Sequence, residues 1–191
     1  MPTQIDGRDL TNREFFILRW QQESPGFRRV LEALPSDKLA YRPHPKSRSA
    51  GELAAVLVSL EKGCADLCAT QQSSYNSSMR WHPHDRTATL EEMLAACDAH
   101  RKELAVQLNK IDDHTWNHAA WMVRGEQEIL LKDTVGGLLW LALFDGVHHR
   151  GQLSAYLRPM GAKVPAIYLE SADEPFPPID GSSPKQPPPA F

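Results

Sequence analysis

The sequence has little of what marks several protein classes. No Lys/Arg-rich run stands out and the net charge is -3, so there is no basic face of the kind that nucleic-acid binding uses. The longest apolar run, Leu138 to Phe144, falls far short of the roughly 20 residues needed to span a bilayer. The opening residues, MPTQIDGRDL, contain no apolar signal region. The expectation is a cytoplasmic protein with no nucleic-acid partner and no membrane partner. Cysteine is scarce: Cys64, Cys68 and Cys97 are the whole set. An odd number is a poor disulfide framework. Cys64 and Cys68 fall four apart on or near an apolar stripe, and they read as reduced, buried thiols rather than a redox pair or a thiolate metal site. There is no internal repeat.

What the chain does have is an ordinary globular balance, 41% hydrophobic and 24% charged over 191 residues, enough for one domain with a sizeable core. Three capping-box patterns punctuate it: Thr11 with Glu14, Ser49 with Glu52, and Thr89 with Glu92. Each opens an apolar-periodic segment. The first carries Phe15, Phe16, Leu18 and Trp20, should kink or break at Ser24-Pro25-Gly26, and resumes with Phe27, Val30, Leu31 and Leu34. Residues 35 to 48 read as an irregular connector. The second segment buries Leu53, Val56, Leu57, Leu60, Cys64 and Leu67, with Glu61 off the stripe and solvated. Gln71 to Thr87 reads as a polar surface loop, and the His82-Pro83-His84 pair within it lacks a third ligand. The third segment turns Met93, Leu94, Cys97, Leu104 and Leu108 inward, with His100 packed or half-exposed beside them. Trp121, Val123, Ile129 and Leu131 flank Arg124-Gly125-Glu126 as a short hairpin. The tail from Ser171 is rich in proline and should be extended and weakly held.

The most informative stretch runs from Leu138 to Arg158. Thr134 fits the N-cap of this last helix, and Gly136-Gly137 allows close packing or a bent start. Leu138, Leu141, Ala142, Asp145, His149, Gln152, Leu153 and Tyr156 recur at helical spacing and share one face. That face is mostly apolar, so the expectation points it into the core. Asp145 and His149, one turn apart, then stand side by side on a buried stripe, where each needs a partner. They pair with each other or share a metal ion. Four helices of about this length predict an all-α four-helix bundle.

The run His148-His149-Arg150-Gly151-Gln152-Leu153, followed by Tyr156-Leu157-Arg158-Pro159-Met160-Gly161, Val164-Pro165-Ala166-Ile167-Tyr168 and Ser171-Ala172-Asp173-Glu174, resembles the DinB-like (YfiT-like) family. So does Leu34 to Pro45 running on into Ser49-Ala50-Gly51-Glu52-Leu53-Ala54. The resemblance implies a four-helix bundle domain over residues 1–170, a Pro-rich tail over 171–191 and, as in many members, a homodimer. It also implies a divalent metal (Zn, Ni, Fe or Mn) held by three histidines, one early on the second helix and two spaced four apart on the last. Members include thiol-dependent transferases and isomerases and metal-dependent hydrolases, so a small-molecule or thiol substrate follows. Carried over residue by residue, His149 matches the last ligand, and Asp145 stands where the family has histidine. Val56 stands in the second-helix ligand's place. His148 and Gln152 flank the pair as supporting residues. Two of the three places keep a donor, so metal retention is expected to be weak or absent.

Three readings follow. The first is a metal-dependent hydrolase or thiol transferase with Asp145 and His149 as ligands and water as nucleophile. The second is a non-catalytic binding or interaction bundle in which the two form a buried structural pair. The third is metal-free acid–base catalysis by the same pair. The sequence identifies no catalytic residue beyond them.

Overall fold

The computed structural model describes residues 4–5, 8–74, 88–125 and 128–175. Four long helices carry the core: α1 (Asn12–Glu32), α2 (Ala50–Thr70), α3 (Leu90–Lys110) and α5 (Val135–Leu157), with one further turn, α4 (Asp113–Trp116), before the last. A two-residue pair, β1 (Gln4–Ile5) with β2 (Arg8–Asp9), precedes α1. Each expected capping box closes in both directions at Thr11, Ser49 and Thr89, and the Thr134 hydroxyl accepts from the Gly137 N–H at the start of α5. The caps satisfy amide groups that a helix cannot pair internally. Gly136 is needed where it stands, because a Cβ there would lie 2.2 Å from the Trp116 ring.

Helix α2 packs against α3 and α5, and α1 packs against the same two. Their shared core includes Phe16, Val30, Leu31, Leu53, Leu67, Met93, Leu104, Leu139 and Leu153. The fold is mainly helical rather than all-α. The expected hairpin forms from β4 (Ala119–Arg124) and β5 (Glu128–Thr134), and Gly125 turns it at φ +62°. The first residues of the expected polar loop add a third strand, β3 (Gln72–Ser74), parallel to β4. Strand pairing depends on a partner about fifty residues away, which local polarity does not reveal. His82 and His84 lie outside the described residues. No helix among the described residues is long and apolar enough to cross a membrane.

Three further expectations need correction. Helix α1 continues through Pro25 instead of breaking. Pro25 and Gln21, whose carbonyl loses its N–H partner, both lie on the exposed side, where water can serve that carbonyl. The neighbouring Gly26 has a tertiary role: a Cβ there would sit 2.7 Å from the Arg150 guanidinium.

Glu61 is buried, 6% exposed, not solvated. Its Oε1 accepts from the Ser24 hydroxyl at 3.0 Å and lies 3.7 Å from Arg101 Nε. Burial raises its pKa, and the charge of Arg101 and the Ser24 hydrogen bond offset part of that rise.

The start of the tail is firmly held. Asp173 accepts from Arg158 and from the Val164 N–H, and Glu174 accepts from Arg29 and from the Ala166 N–H. The Ser171 hydroxyl donates to the Val164 carbonyl at 2.6 Å. Residues 164–174 therefore form a strap across the ends of α1 and α5.

The strap also covers a buried ion pair. Arg150, 4% exposed, meets Glu23, 8% exposed, at 2.8 Å. The Tyr168 hydroxyl donates to Glu23 at 2.8 Å and accepts from Arg150, while the guanidinium lies 4.8 Å over the Phe27 ring. Removing one member of such a pair strands the other's charge. Arg150→Ala should therefore cost about 3–5 kcal/mol in chemical denaturation, and the double change Glu23→Gln with Arg150→Met should cost less than Arg150→Ala alone. A fully additive double mutant would show that the two do not interact.

Glu61 yields a prediction with a definite sign. Its folded pKa stands above the ordinary 4.5, so in that window the folded state holds more protons than the unfolded one and stability falls as pH rises. Glu61→Gln lacks this dependence. The stability of Glu61→Gln relative to the parent should rise with pH above 4.5 and then level off, as read from denaturation midpoints across that range.

Candidate functional site

The residues expected to form the site come together, but on the flank of α5 rather than in the core. Asp145 is 50% exposed and His149 13%, and Asp145 Oδ1 lies 3.4 Å from His149 Nε2. The side-by-side pairing holds and the buried stripe does not. The inward face of α5 is Val135, Leu139, Ala142, Gly146, Arg150, Leu153 and Leu157, rotated from the apolar pattern by a fraction of a turn. Gly146 and Arg150 are the members that an apolar pattern does not mark. Gly146 admits the Phe27 ring, since a Cβ on that glycine would lie 3.2 Å from Phe27 Cζ. Arg150 is drawn in by Glu23. Together they turn Asp145 and His149 outward.

His149 is held from both sides. Its Nδ1 lies 2.8 Å from Gln152 Oε1, and its Nε2 is the nitrogen that faces Asp145. On that side Arg48 Nη1 lies 3.5 Å from Nε2. Sequence reading missed Arg48, since nothing in its spacing marks it. The connector before α2 brings it there: the Ala50 and Gly51 N–H groups donate to the carbonyls of Tyr41 and Leu39, Tyr41 packs edge-on against Tyr156, and the Tyr156 hydroxyl donates to the Arg48 carbonyl at 3.2 Å. His148 is exposed and touches the site through its ring, 5.2 Å from that of His149.

Val56 is half-buried. A Cβ on Gly146 would lie 3.7 Å from Leu60, while Tyr156 reaches Arg48, so α2 and α5 run antiparallel. One turn before Leu60, Val56 is level with the turn that holds His149. It brings no donor atom there. Among the described residues, no three His, Cys, Asp or Glu side chains gather closely enough to hold a metal ion. The described residues therefore do not assemble the three-ligand centre that the resemblance implies.

The other candidates behave as packing. His100 Nδ1 lies 2.9 Å from the Val58 carbonyl oxygen. Cys64, Cys68 and Cys97 are free and buried. Burial lifts Cys68 to about 12 and Cys97 to about 11, and Cys64 well above its ordinary range. None of the three is a ready thiolate nucleophile.

The profile of the DinB family matches residues 8–179, and the chain belongs to that family. No curated protein matches it. Among solved structures, the chain is similar to a DinB-like protein from Bacillus subtilis at 19% identity, with TM-score 0.61 over 80% of this chain and 96% of the other. A DinB-like protein from Bacillus cereus is 15% identical, with TM-score 0.64 over 81% of this chain and 97% of the other. A mycothiol-dependent maleylpyruvate isomerase is 10% identical, with TM-score 0.50 over 82% of this chain and 65% of the other. At these identities the likeness is one of fold.

With Asp145 half in solvent, its contact with His149 is a surface pair of small net worth. Asp145→Ala should change stability by less than about 1 kcal/mol. A loss of several kcal/mol in urea denaturation would mean that the carboxylate is buried and bonded in solution.

Proposed function

We propose that this DinB-family four-helix bundle works as a binding module without a resident catalytic metal. The observation that carries this is the Arg48 guanidinium beside His149 Nε2. Nε2, the nitrogen on the Asp145 side, already lies beside the Arg48 guanidinium, whose positive charge repels a divalent cation at close range. Among the described residues, Val56 offers nothing in the remaining ligand place, and Asp145 is the further protein donor beside His149. Two protein ligands fall short of the three that a catalytic zinc site uses. Arg48, Asp145, His149 and Gln152 instead form a polar cluster on the α5 flank, with its exposed side towards Asp145. A metal-dependent hydrolase or thiol transferase, the reading suggested by the family and by the isomerase of like fold, requires a third donor that this cluster lacks.

The test is metal binding. Protein purified without a nickel column should carry far less than one ion per chain by elemental analysis. Arg48→Ala combined with Val56→His removes the competing cation and adds the third donor. In chelator this variant should melt below the parent, because imidazole is larger and more polar than isopropyl. On adding zinc it should gain more than the parent, about 2.7 kcal/mol at a hundredfold excess over its Kd. One tightly held ion per chain in the unmodified protein would overturn the proposal.

A further inference from the structure

Helix α5 is apolar or glycine at every position from Val135 to Phe144. A helix that is apolar on all sides is ordinarily covered on all sides. The bundle covers its inner side, yet on the outer side Leu141 is 44% and Phe144 62% exposed. The outer positions continue along the helix as Leu141, Phe144, His148, Gly151, Ala155 and Arg158, all exposed among the described residues. Their steps of three and four residues are the spacing of a seam along which two helices pack. Gly151 stands well inside α5, where glycine weakens a helix. A Cβ there would meet nothing within 4 Å, so no close approach inside the chain calls for it.

Size and charge along the seam indicate what lies on it. Its large apolar side chains, Leu141 and Phe144, stand in the first half, and its small residues, Gly151 and Ala155, in the second. A parallel copy would set Phe144 against Phe144 and leave a void between two glycines. An antiparallel copy sets Phe144 against Ala155 of the partner subunit and His148 against Gly151 of the partner subunit, so each large group meets a small one. The charges agree with that direction. Asp145 flanks the first half and Arg158 ends the second. Antiparallel packing brings these unlike charges towards each other, whereas parallel packing opposes like charges. A surface that complements itself when reversed is what a two-fold axis requires. We propose that the outer face of α5 is a docking surface for a second copy of this chain, packed antiparallel about a two-fold axis between His148 and Gly151. The seam contains neither Arg48, Val56, Asp145 nor His149, so this pairing stands whether or not their flank holds a metal ion.

Sedimentation velocity of the full chain at about 10 µM, within the range where ordinary interfaces associate, should give a particle of twice the 21.5 kDa chain mass. Phe144→Arg and Gly151→Arg should each sediment as a monomer with the far-ultraviolet circular dichroism of the parent. Cross-linking reads the orientation. Under mild oxidation, Phe144→Cys combined with Ala155→Cys should form a disulfide-linked dimer, and neither change alone should do so. The native cysteines are buried and do not compete. A monomeric parent would overturn the inference, as would a dimer that survives both arginine variants. A covalent dimer formed by either single cysteine variant would overturn the antiparallel arrangement and the inference with it. If the parent is monomeric and dimerises once residues 176–191 are removed, the face belongs to the tail of the same chain and the inference is wrong.

Discussion

The architecture turns on one buried ion pair. Arg150 on α5 reaches Glu23 on α1, lies over Phe27 and is covered by Tyr168. A guanidinium this deep is tolerated only where charge, hydrogen bonds and ring faces all meet it. Meeting them sets the rotation of α5 about its own axis. That rotation decides which residues of the His148–Gln152 block look inward and which look out. It places Arg150 in the core and leaves His149 to the connector, where Arg48 reaches it.

This explains why the candidate site is a polar cluster rather than a ligand cage. In a bundle, cofactor sites are built from side chains that project inward from facing helices. Here the inward positions of α5 at this level are filled by Gly146 and Arg150, and Val56 on α2 contributes only an isopropyl group. The polar groups that remain, Asp145 and His149, lie together on the flank with Gln152 and Arg48 beside His149. The polar chemistry of the interior has moved elsewhere, to Glu61 and Ser24 between α1 and α2, with Arg101 from α3 beside them.

Much of the helical scaffold was legible from local signals. Thr11, Ser49, Thr89 and Thr134 cap the helices that their neighbours suggested, because capping depends on residues within one turn. Gly136 was readable as a point of close packing or bending, but its partner Trp116 lies on another element. The resemblance carried by the His-Arg-Gly-Gln block placed the chain in its family. The orientation of α5 was not legible, because apolarity cannot reveal that Gly146 and Arg150 face inward. Their places depend on Phe27 and Glu23, more than a hundred residues earlier. Glu61 was misread for a similar reason, since its partners lie on other helices. Arg48 had no local signal at all, as it reaches His149 only through the path of the connector.

The strap has a consequence for how the chain acquires its structure. Glu23 belongs to the first long helix made on the ribosome, yet its partners Arg150 and Tyr168 follow 127 and 145 residues later. Arg29 likewise waits for Glu174, another 145 residues on. During synthesis, α1, α2 and α3 emerge with the α5-facing side of α1 uncovered and Glu23 paired only with Arg19 of its own helix among the partners that the finished fold gives it. Closing the gap requires bringing together distant parts of the chain, whose loop entropy is lost before these contacts form. The strap therefore completes the burial of α1, and the core of a nascent chain is sealed only once residues 150–174 have been made.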